Sequence, residues 1–140
     1  MESIELRTPT QIDVERANCW FTDPELVAMD PPAGIVDGLL LWSIYCDNIH
    51  IGFISIYNRS GTSAELGVRI GEKQYWGRGL AQQAVERVLD FCKQLNFSTI
   101  HLKVIPSNTR AIRLYEKCGF TKTSTSILDG IAFIRMEIHI

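Results

Sequence analysis

The sequence predicts an α/β fold: a mixed, mostly antiparallel sheet of about six to seven strands flanked by about four helices. Three observations carry this expectation. Strand-length runs of alternating apolar residues are joined by turn pairs such as Asp47-Asn48 and Asp129-Gly130. A turn bearing Gly77 and Gly79 opens a long amphipathic stretch from Leu80. A further strand-like run, Thr99 to Val104, leads through Pro106, Ser107 and Asn108 into a second helical pattern.

Taken in order, Ile4 to Arg7 reads as a first strand, and Pro9 to Phe21 and Asp23 to Met29 as helical pieces parted by Thr22 and ended near Pro31-Pro32. Leu39 to Cys46 and Ile49 to Tyr57 flank Asp47-Asn48 as a hairpin. A second turn is expected over Asn58 to Thr62, followed by a third antiparallel strand from Ala64 to Ile70. The long helix Leu80 to Leu95 should bury Ala81, Ala84, Val85, Val88, Cys92 and Leu95 along one stripe. After the strand Thr99 to Val104, Ala111, Leu114, Tyr115 and Cys118 recur at helical spacing, with Asn108 as a candidate N-cap and Gly119 as the stop. A last hairpin pairs Phe120 to Ile127 with Ile131 to Ile138 around Asp129-Gly130.

Composition narrows the class of protein. The 140 residues fit one domain over residues 1–140, and 46% hydrophobic with 21% charged residues is ordinary for a globular chain with a conventional core. A net charge of −2 gives no broad basic footprint, which argues against nucleic-acid binding. The longest apolar run, Ile35 to Tyr45, is interrupted by Asp37 and falls short of the roughly 20 residues that span a bilayer, so no membrane segment is expected. Cys19, Cys46, Cys92 and Cys118 form no C-x-x-C pair, and the N-terminus is acidic where a secretory leader would be basic, which fits free thiols in the cytoplasm. His50, His101 and His139 are dispersed, so no metal site is expected.

The run Gln74-Tyr75-Trp76-Gly77-Arg78-Gly79-Leu80-Ala81 carries chemistry. Two glycines remove β-carbons from a turn that follows a strand, so backbone N–H groups can close around a phosphate where the helix dipole favours negative charge. Arg78 either adds a charge-assisted contact to that phosphate or is an ordinary surface arginine. Two better-known phosphate motifs fail: no Gly-Lys-Ser/Thr follows, and Gln82 stands where a dinucleotide fingerprint needs a third glycine. Asn108 is either a cap alone or part of a site, and Tyr115 either a core aromatic or a working phenol.

Ile70 to Ala84 together with Asn108 to Phe120 resembles the GNAT superfamily of N-acetyltransferases, nearest its branch of ribosomal-protein N-terminal and spermidine acetyltransferases. The likeness is specific from about Ala64 to Phe120 and loose over the first sixty residues. In the family pattern Gln/Arg-x-x-Gly-x-Gly/Ala, the preferred register puts Trp76 first, Gly79 fourth and Ala81 sixth; a register from Gln74 also satisfies it through Gly77 and Gly79. Trp76 departs from the commonest first residue, a departure that a main-chain phosphate site tolerates. The resemblance implies the family fold, with a sheet splayed near the cofactor, and acetyl-CoA as cosubstrate. It places the cofactor against Val68, Arg69, Ile70, Trp76, Gly77, Arg78, Gly79, Leu80, Ala81, Gln82 and Asn108, with main-chain groups of Val68 to Ile70 holding the pantetheine arm. Gly67 is expected to ease a bulge that splays its strand from the next.

Acetyl transfer to an amine sets three tasks. An amine of pKa about 10 must lose a proton, a tetrahedral oxyanion must be stabilised, and a thiolate must be protonated. By the resemblance, Tyr115 is the acid placed against the coenzyme sulfur. Glu65 lies on the face that alternation assigns to Glu65, Gly67 and Arg69, and is either the base, directly or through water, or a carboxylate paired with Arg69 or Arg59. Cys118 lies one turn from Tyr115 and reads as a packed thiol, so direct transfer in a ternary complex is expected rather than an acyl-enzyme. The resemblance implies a primary amine as acceptor, either a small molecule or polyamine or a protein N-terminus. Asp23, Glu25, Asp30 and Asp37 either bind a polycation or form a solvated acidic surface, and Trp20, Phe21, Trp42 and Tyr45 either line a pocket or fill the core. A homodimer through exposed C-terminal strands is compatible with the sequence. The rival reading is a non-catalytic acyl-CoA-binding regulatory module of the same fold.

Overall fold

In the computed structural model, residues 2–31 and 37–140 are described. The chain runs β1 (Glu5–Arg7), α1 (Gln11–Phe21), α2 (Pro24–Ala28), β2 (Leu40–Cys46), β3 (Ile49–Ser60), β4 (Ser63–Ile70), a single 3₁₀ turn (Lys73–Tyr75), α3 (Leu80–Gln94), β5 (Thr99–Val104), α4 (Thr109–Lys117), β6 (Thr121–Leu128) and β7 (Ile131–His139). This is the expected architecture: a seven-stranded sheet in the order β1-β2-β3-β4-β5-β7-β6. Every neighbouring pair is antiparallel except β4 and β5.

Local chemistry explains the element boundaries. Thr10 caps α1 reciprocally: its side chain accepts from the Asp13 N–H at 3.2 Å while the Asp13 carboxylate accepts from the Thr10 N–H at 3.1 Å, which moves the helix start two residues beyond the expected Pro9. Asp23 caps α2 with Pro24 in its first turn, so the second helix is shorter than Asp23 to Met29. The pairs Asp47-Asn48 and Asp129-Gly130 all take positive φ, as a tight two-residue hairpin requires. The turn expected over Asn58 to Thr62 is narrower. Asn58 adopts φ 51° inside an irregular stretch, and the ladder resumes at Ser60–Ser63, carrying β3 to Ser60. Pro32 and the start of the apolar run at Ile35 lie outside the described residues.

Two faces of the sheet have different partners. Leu80, Ala84, Val85, Val88, Leu89 and Cys92 of α3 bury against Ile54, Ile56, Leu66, Ile100 and Leu102, and Tyr115 of α4 joins the same core. The stripe differs from expectation at its ends: Ala81 is half-buried and Leu95 is 45% exposed, because α3 stops at Gln94 and the chain turns at Asn96 with φ 63°. The opposite face carries the cross-strand pairs Phe53–Arg69, Ser55–Gly67 and Tyr57–Glu65, and helices α1 and α2 cover its β2 to β4 half. Trp20 packs on Phe53 there with ring centres 5.9 Å apart, in a small second core with Ala17 and Leu26. Asp13, 2% exposed, fastens α1 to β2 by accepting from the Ser43 hydroxyl at 2.8 Å and from the Tyr45 hydroxyl.

Candidate active site

The gap between β4 and β5 organises the site. Their parallel pairing comprises Ser63–Thr99, Ala64–Ile100 and Glu65–His101 and goes no further, while β5 continues to Val104 paired with β7 and β4 to Ile70 paired with β3. The strands therefore part just where Leu66 to Ile70 begin. The Gly71 N–H donates to Ile51 O at 2.7 Å in the β3–β4 register, and alternate residues of an antiparallel strand bond to the same neighbour. Gly67 and Arg69 thus bond toward β3, whereas Val68 and Ile70 turn their main-chain groups toward the gap. One of these is already used: the Ile70 carbonyl accepts from the Trp76 indole N–H at 2.8 Å.

That bond brings the glycine loop to the end of β4. Gly77 and Gly79 take φ 76° and 74°, and a β-carbon built at either would meet nothing within 4 Å, so the loop faces open space. Gly79 is the N-cap of α3 and offers no side chain to cap it; the first intrahelical bond runs from the Gln83 N–H to Gly79 O at 3.2 Å. The amides of Leu80, Ala81 and Gln82 precede that ladder and form the donor set an anion meets at a helix N-terminus. Arg78 pairs with Glu2 at 3.0 Å and lies over the Tyr75 ring, so this cation is already engaged by the N-terminal segment. Trp76 itself is held on three sides, by the Ile70 carbonyl, the second core and the Arg110 guanidinium 4.6 Å from its ring centre. The Gln82 amide donates to Glu86 at 2.8 Å.

From α4, Asn108 acts as a cap, its side chain accepting from the Ala111 N–H at 3.2 Å. Tyr115 is 7% exposed, packed edge-on against Phe120 with ring centres 5.9 Å apart. Burial pushes its phenol well above the ordinary range, with a smaller push from Cys118, so the hydroxyl keeps its proton at neutral pH. The Cys118 thiol is pushed up to about 11, chiefly by burial, which keeps it protonated and a poor nucleophile.

Glu65 is 5% exposed and fully engaged, though not by the expected arginines. Its Oε2 accepts from the Tyr57 hydroxyl at 3.0 Å and lies 3.3 Å from Lys103 Nζ, while Oε1 accepts from the Asn58 amide at 3.4 Å. Arg69 pairs instead with Asp30, and Arg59 donates to Gly61 O at 3.2 Å. The position of Gly67 also has a different cause from a bulge. It pairs regularly with Ser55, and a β-carbon there would lie 3.3 Å from Tyr57 Cε1 and 3.2 Å from Ser55 Oγ, so glycine lets the Tyr57 ring cross the strand. Tyr57, Asn58, His101 and Lys103 were not among the residues singled out from the sequence. Alternation along Thr99 to Val104 puts His101 and Lys103 on one face, but only the parallel register sets that face beside Glu65.

The acidic N-terminal cluster is largely neutralised within the chain: Asp23 and Glu25 hold Lys73 Nζ at 2.8 and 3.0 Å, and Asp30 holds Arg69. Of the four aromatics, Trp20 is core, Trp42 stacks edge-on against Phe91, and Tyr45 is tied to Asp13. Phe21, 57% exposed beneath the Arg69 guanidinium, remains available to line a surface. Among the described residues, the donor atoms of Glu2, Cys46 and Asp47 approach within 4.8 Å of one another, far from the gap in sequence and with Glu2 engaged by Arg78. No described helix is long and apolar enough to cross a membrane.

Comparison with known proteins accords with this geometry. The sequence is 38% identical to the spermidine N(1)-acetyltransferase of Vibrio cholerae over 61 residues, which covers 43% of this chain and 35% of that protein. It is 30% identical to an uncharacterised protein of Methanocaldococcus jannaschii over 73 residues, 52% of this chain and 15% of that one. The chain thus spans well under half the length of these curated relatives. In structure it is similar to a domain from Methanocaldococcus jannaschii (TM-score 0.86, 22% identity, all of both chains). It is also similar to the aminoglycoside acetyltransferase AAC(6′)-Ib in complex with coenzyme A and kanamycin (TM-score 0.83, 18% identity, 98% and 95% covered). The Mycobacterium smegmatis RimJ in complex with CoA-disulfide superposes as well (TM-score 0.80, 19% identity, 97% and 81% covered). The family model for the acetyltransferase (GNAT) domain matches residues 3–121, and by that match the chain belongs to the GNAT acetyltransferase family.

Proposed function

We propose that this chain is an N-acetyltransferase that moves an acetyl group from acetyl-CoA to a primary amine by direct transfer within a ternary complex. The observation that carries the reading is the parting of β4 from β5 after Glu65 and His101, which leaves main-chain groups of Val68 and Ile70 directed into a gap. An extended pantetheine arm carries amides of its own and would complete the interrupted ladder there. The amides of Leu80 to Gln82, behind the open Gly77 and Gly79 turn, suit the pyrophosphate.

On this reading the thioester carbonyl accepts from a main-chain N–H at Val68 or Ile70, which stabilises the oxyanion as the amine attacks. Tyr115, reaching the core from the α3 and α4 side, gives its proton to the departing thiolate; Glu65, on the opposite face, receives the proton that the ammonium sheds before attack, and the second proton, lost from nitrogen after attack, restores the Tyr115 phenol. The tetrahedral intermediate collapses with cleavage of the C–S bond, and no covalent enzyme intermediate is required. The acceptor class stays broad, a small amine, a polyamine or a peptide N-terminus, but the ion pairs of Asp23, Glu25 and Asp30 weigh against a polycation site built from those residues. Residues 1–140 act as one domain in a cytoplasmic protein that needs no metal for transfer.

The test is coenzyme A thiol release from acetyl-CoA with spermidine, an aminoglycoside, free amino acids and short peptides of varied N-terminus, with the acetylated product identified. Release with one acceptor class establishes the activity and its substrate. Tight acetyl-CoA binding without release across the panel would turn the assignment toward a non-catalytic acyl-CoA-binding module.

A further inference from the structure

We propose that Tyr57 is a catalytic residue: its phenol oxygen receives the proton of the acceptor ammonium while its own proton passes to Glu65. The inference rests on the acetyltransferase reading above.

Glu65 cannot meet the acceptor unaided. It is 5% exposed, and both of its oxygens are occupied, Oε2 by the Tyr57 hydroxyl at 3.0 Å and Lys103 at 3.3 Å, Oε1 by the Asn58 amide at 3.4 Å. Among the groups that touch that carboxylate, the one able to pass it a proton can be found by their chemistry. The Asn58 amide has no basic atom on its nitrogen side, and the Lys103 ammonium carries no lone pair, so neither can take up a proton. The Tyr57 hydroxyl spends its hydrogen on Glu65 and keeps acceptor capacity on oxygen.

Its placement suits the task. Tyr57 is half-buried, on the sheet face opposite α3, and its ring crosses the strand at Gly67, where the missing side chain leaves room for it. Gly67 lies one residue before Val68, whose main chain faces the gap. Tyr57 is thus the cross-strand partner of Glu65, and its ring reaches Gly67, two residues further along β4 toward the proposed oxyanion donors.

The step balances without a further reactant. The ammonium N–H bond breaks as an O–H bond forms at Tyr57; the original Tyr57 O–H bond breaks as one forms at Glu65. The phenol is regenerated, and nitrogen gains the lone pair that attacks the thioester. The relay then runs in reverse, the Glu65 proton passing back to the Tyr57 oxygen as the Tyr57 proton leaves to water.

The experiment is the pH dependence of kcat/KM for the acceptor that the panel identifies, in wild type, Tyr57→Phe, Glu65→Gln and the double variant, with thermal unfolding as a check on folding. Tyr57→Phe should fall by about 10²-fold at neutral pH. The deficit should shrink as pH rises past the pKa of the acceptor amine, where free amine needs no base. Glu65→Gln should show the same recovery, and the double variant should be no slower than the worse single one, because the two groups act as a unit. Should Tyr57→Phe unfold, 3-fluorotyrosine placed at position 57 keeps the ring size and lowers the phenol pKa, and the acidic limb of the profile should move. A deficit equal at every pH, an unimpaired Tyr57→Phe, or a fluorotyrosine enzyme with an unmoved limb would each overturn the relay while leaving the acetyltransferase reading intact. Absence of wild-type turnover with every amine would overturn both.

Discussion

Replacing Gly79 by valine separates two costs that are usually confounded, backbone strain and steric exclusion of a ligand. Gly79 sits at φ 74°, and a residue with a β-carbon in that region costs about 1–2 kcal/mol, with β-branched residues at the upper end. Nothing lies within 4 Å of the added β-carbon, so that atom meets no steric cost within the protein. For a chain of 140 residues, about 2 kcal/mol lowers Tm by about 4–8 °C. Gly130, in the β6–β7 turn at φ 75°, is equally strained and equally open, so Gly130→Val should show the same loss of Tm. The two variants should differ in acetyl-CoA binding. Strain present in both free and bound protein cancels from the affinity, whereas a side chain in the space proposed for the pyrophosphate, beside Leu80 to Gln82, does not. Calorimetric titration should find Kd raised at least tenfold, about 1.4 kcal/mol, in Gly79→Val and unchanged in Gly130→Val. An unchanged Kd in Gly79→Val, at the matched loss of Tm, would show that the cofactor does not approach this turn.

Tyr115→Phe should lower turnover about 10²-fold with little change in acetyl-CoA affinity, and unaltered turnover would remove the phenol from the mechanism. Thr10→Ala should cost about 1 kcal/mol in chemical denaturation by breaking the reciprocal cap of α1, and full stability would mean that the cap is not formed in solution. Acid should destabilise the fold in two stages. The His50 imidazole is held below its ordinary value, chiefly by burial, so its contribution is complete above about pH 6.5 and is lost as pH falls toward the folded value. Burial alone would raise Asp13, but hydrogen bonds from Tyr45, Ser43 and the Thr10 N–H outweigh it and hold the carboxyl low; its contribution is lost only as pH falls below the ordinary carboxylate range. Urea midpoints measured against pH should therefore show Asp13→Asn less stable than wild type at neutral pH, with the difference closing at the acid end.

Features settled within a few residues were legible in the sequence. Asp47-Asn48 and Asp129-Gly130 take the positive φ values that their chemistry favours, Asn108 caps the helix it precedes, and Gly79 opens α3. What distant partners decide was not legible. Lys73 draws Asp23 and Glu25 into ion pairs across some fifty residues of chain, turning an apparent acidic patch into an internal fastening. Glu65 and its arginines sit on one strand or one hairpin, yet the carboxylate is claimed by Lys103 from β5, because the parallel register aligns Glu65 with His101. A glycine inside a strand suggested a bulge at Gly67, and the Tyr57 ring that needs its missing side chain comes from a neighbouring strand. Leu95 fitted the apolar stripe of α3 by periodicity, but the helix ends one residue earlier and leaves it outside.

The three-pair seam between β4 and β5 has a mechanical consequence. Strands β1 to β4 form one ribbon and β5 to β7 another, and over the length beyond Glu65 the sheet has no hydrogen bonds joining the two. A ligand laid along that opening with its own amides acts as a missing rung, stitching the ribbons together as well as occupying a site. Amide protons of Val68 and Ile70 should then exchange with solvent quickly in the free protein and slow together when acetyl-CoA binds, so that the loading of the cofactor is readable in the stiffness of the sheet itself.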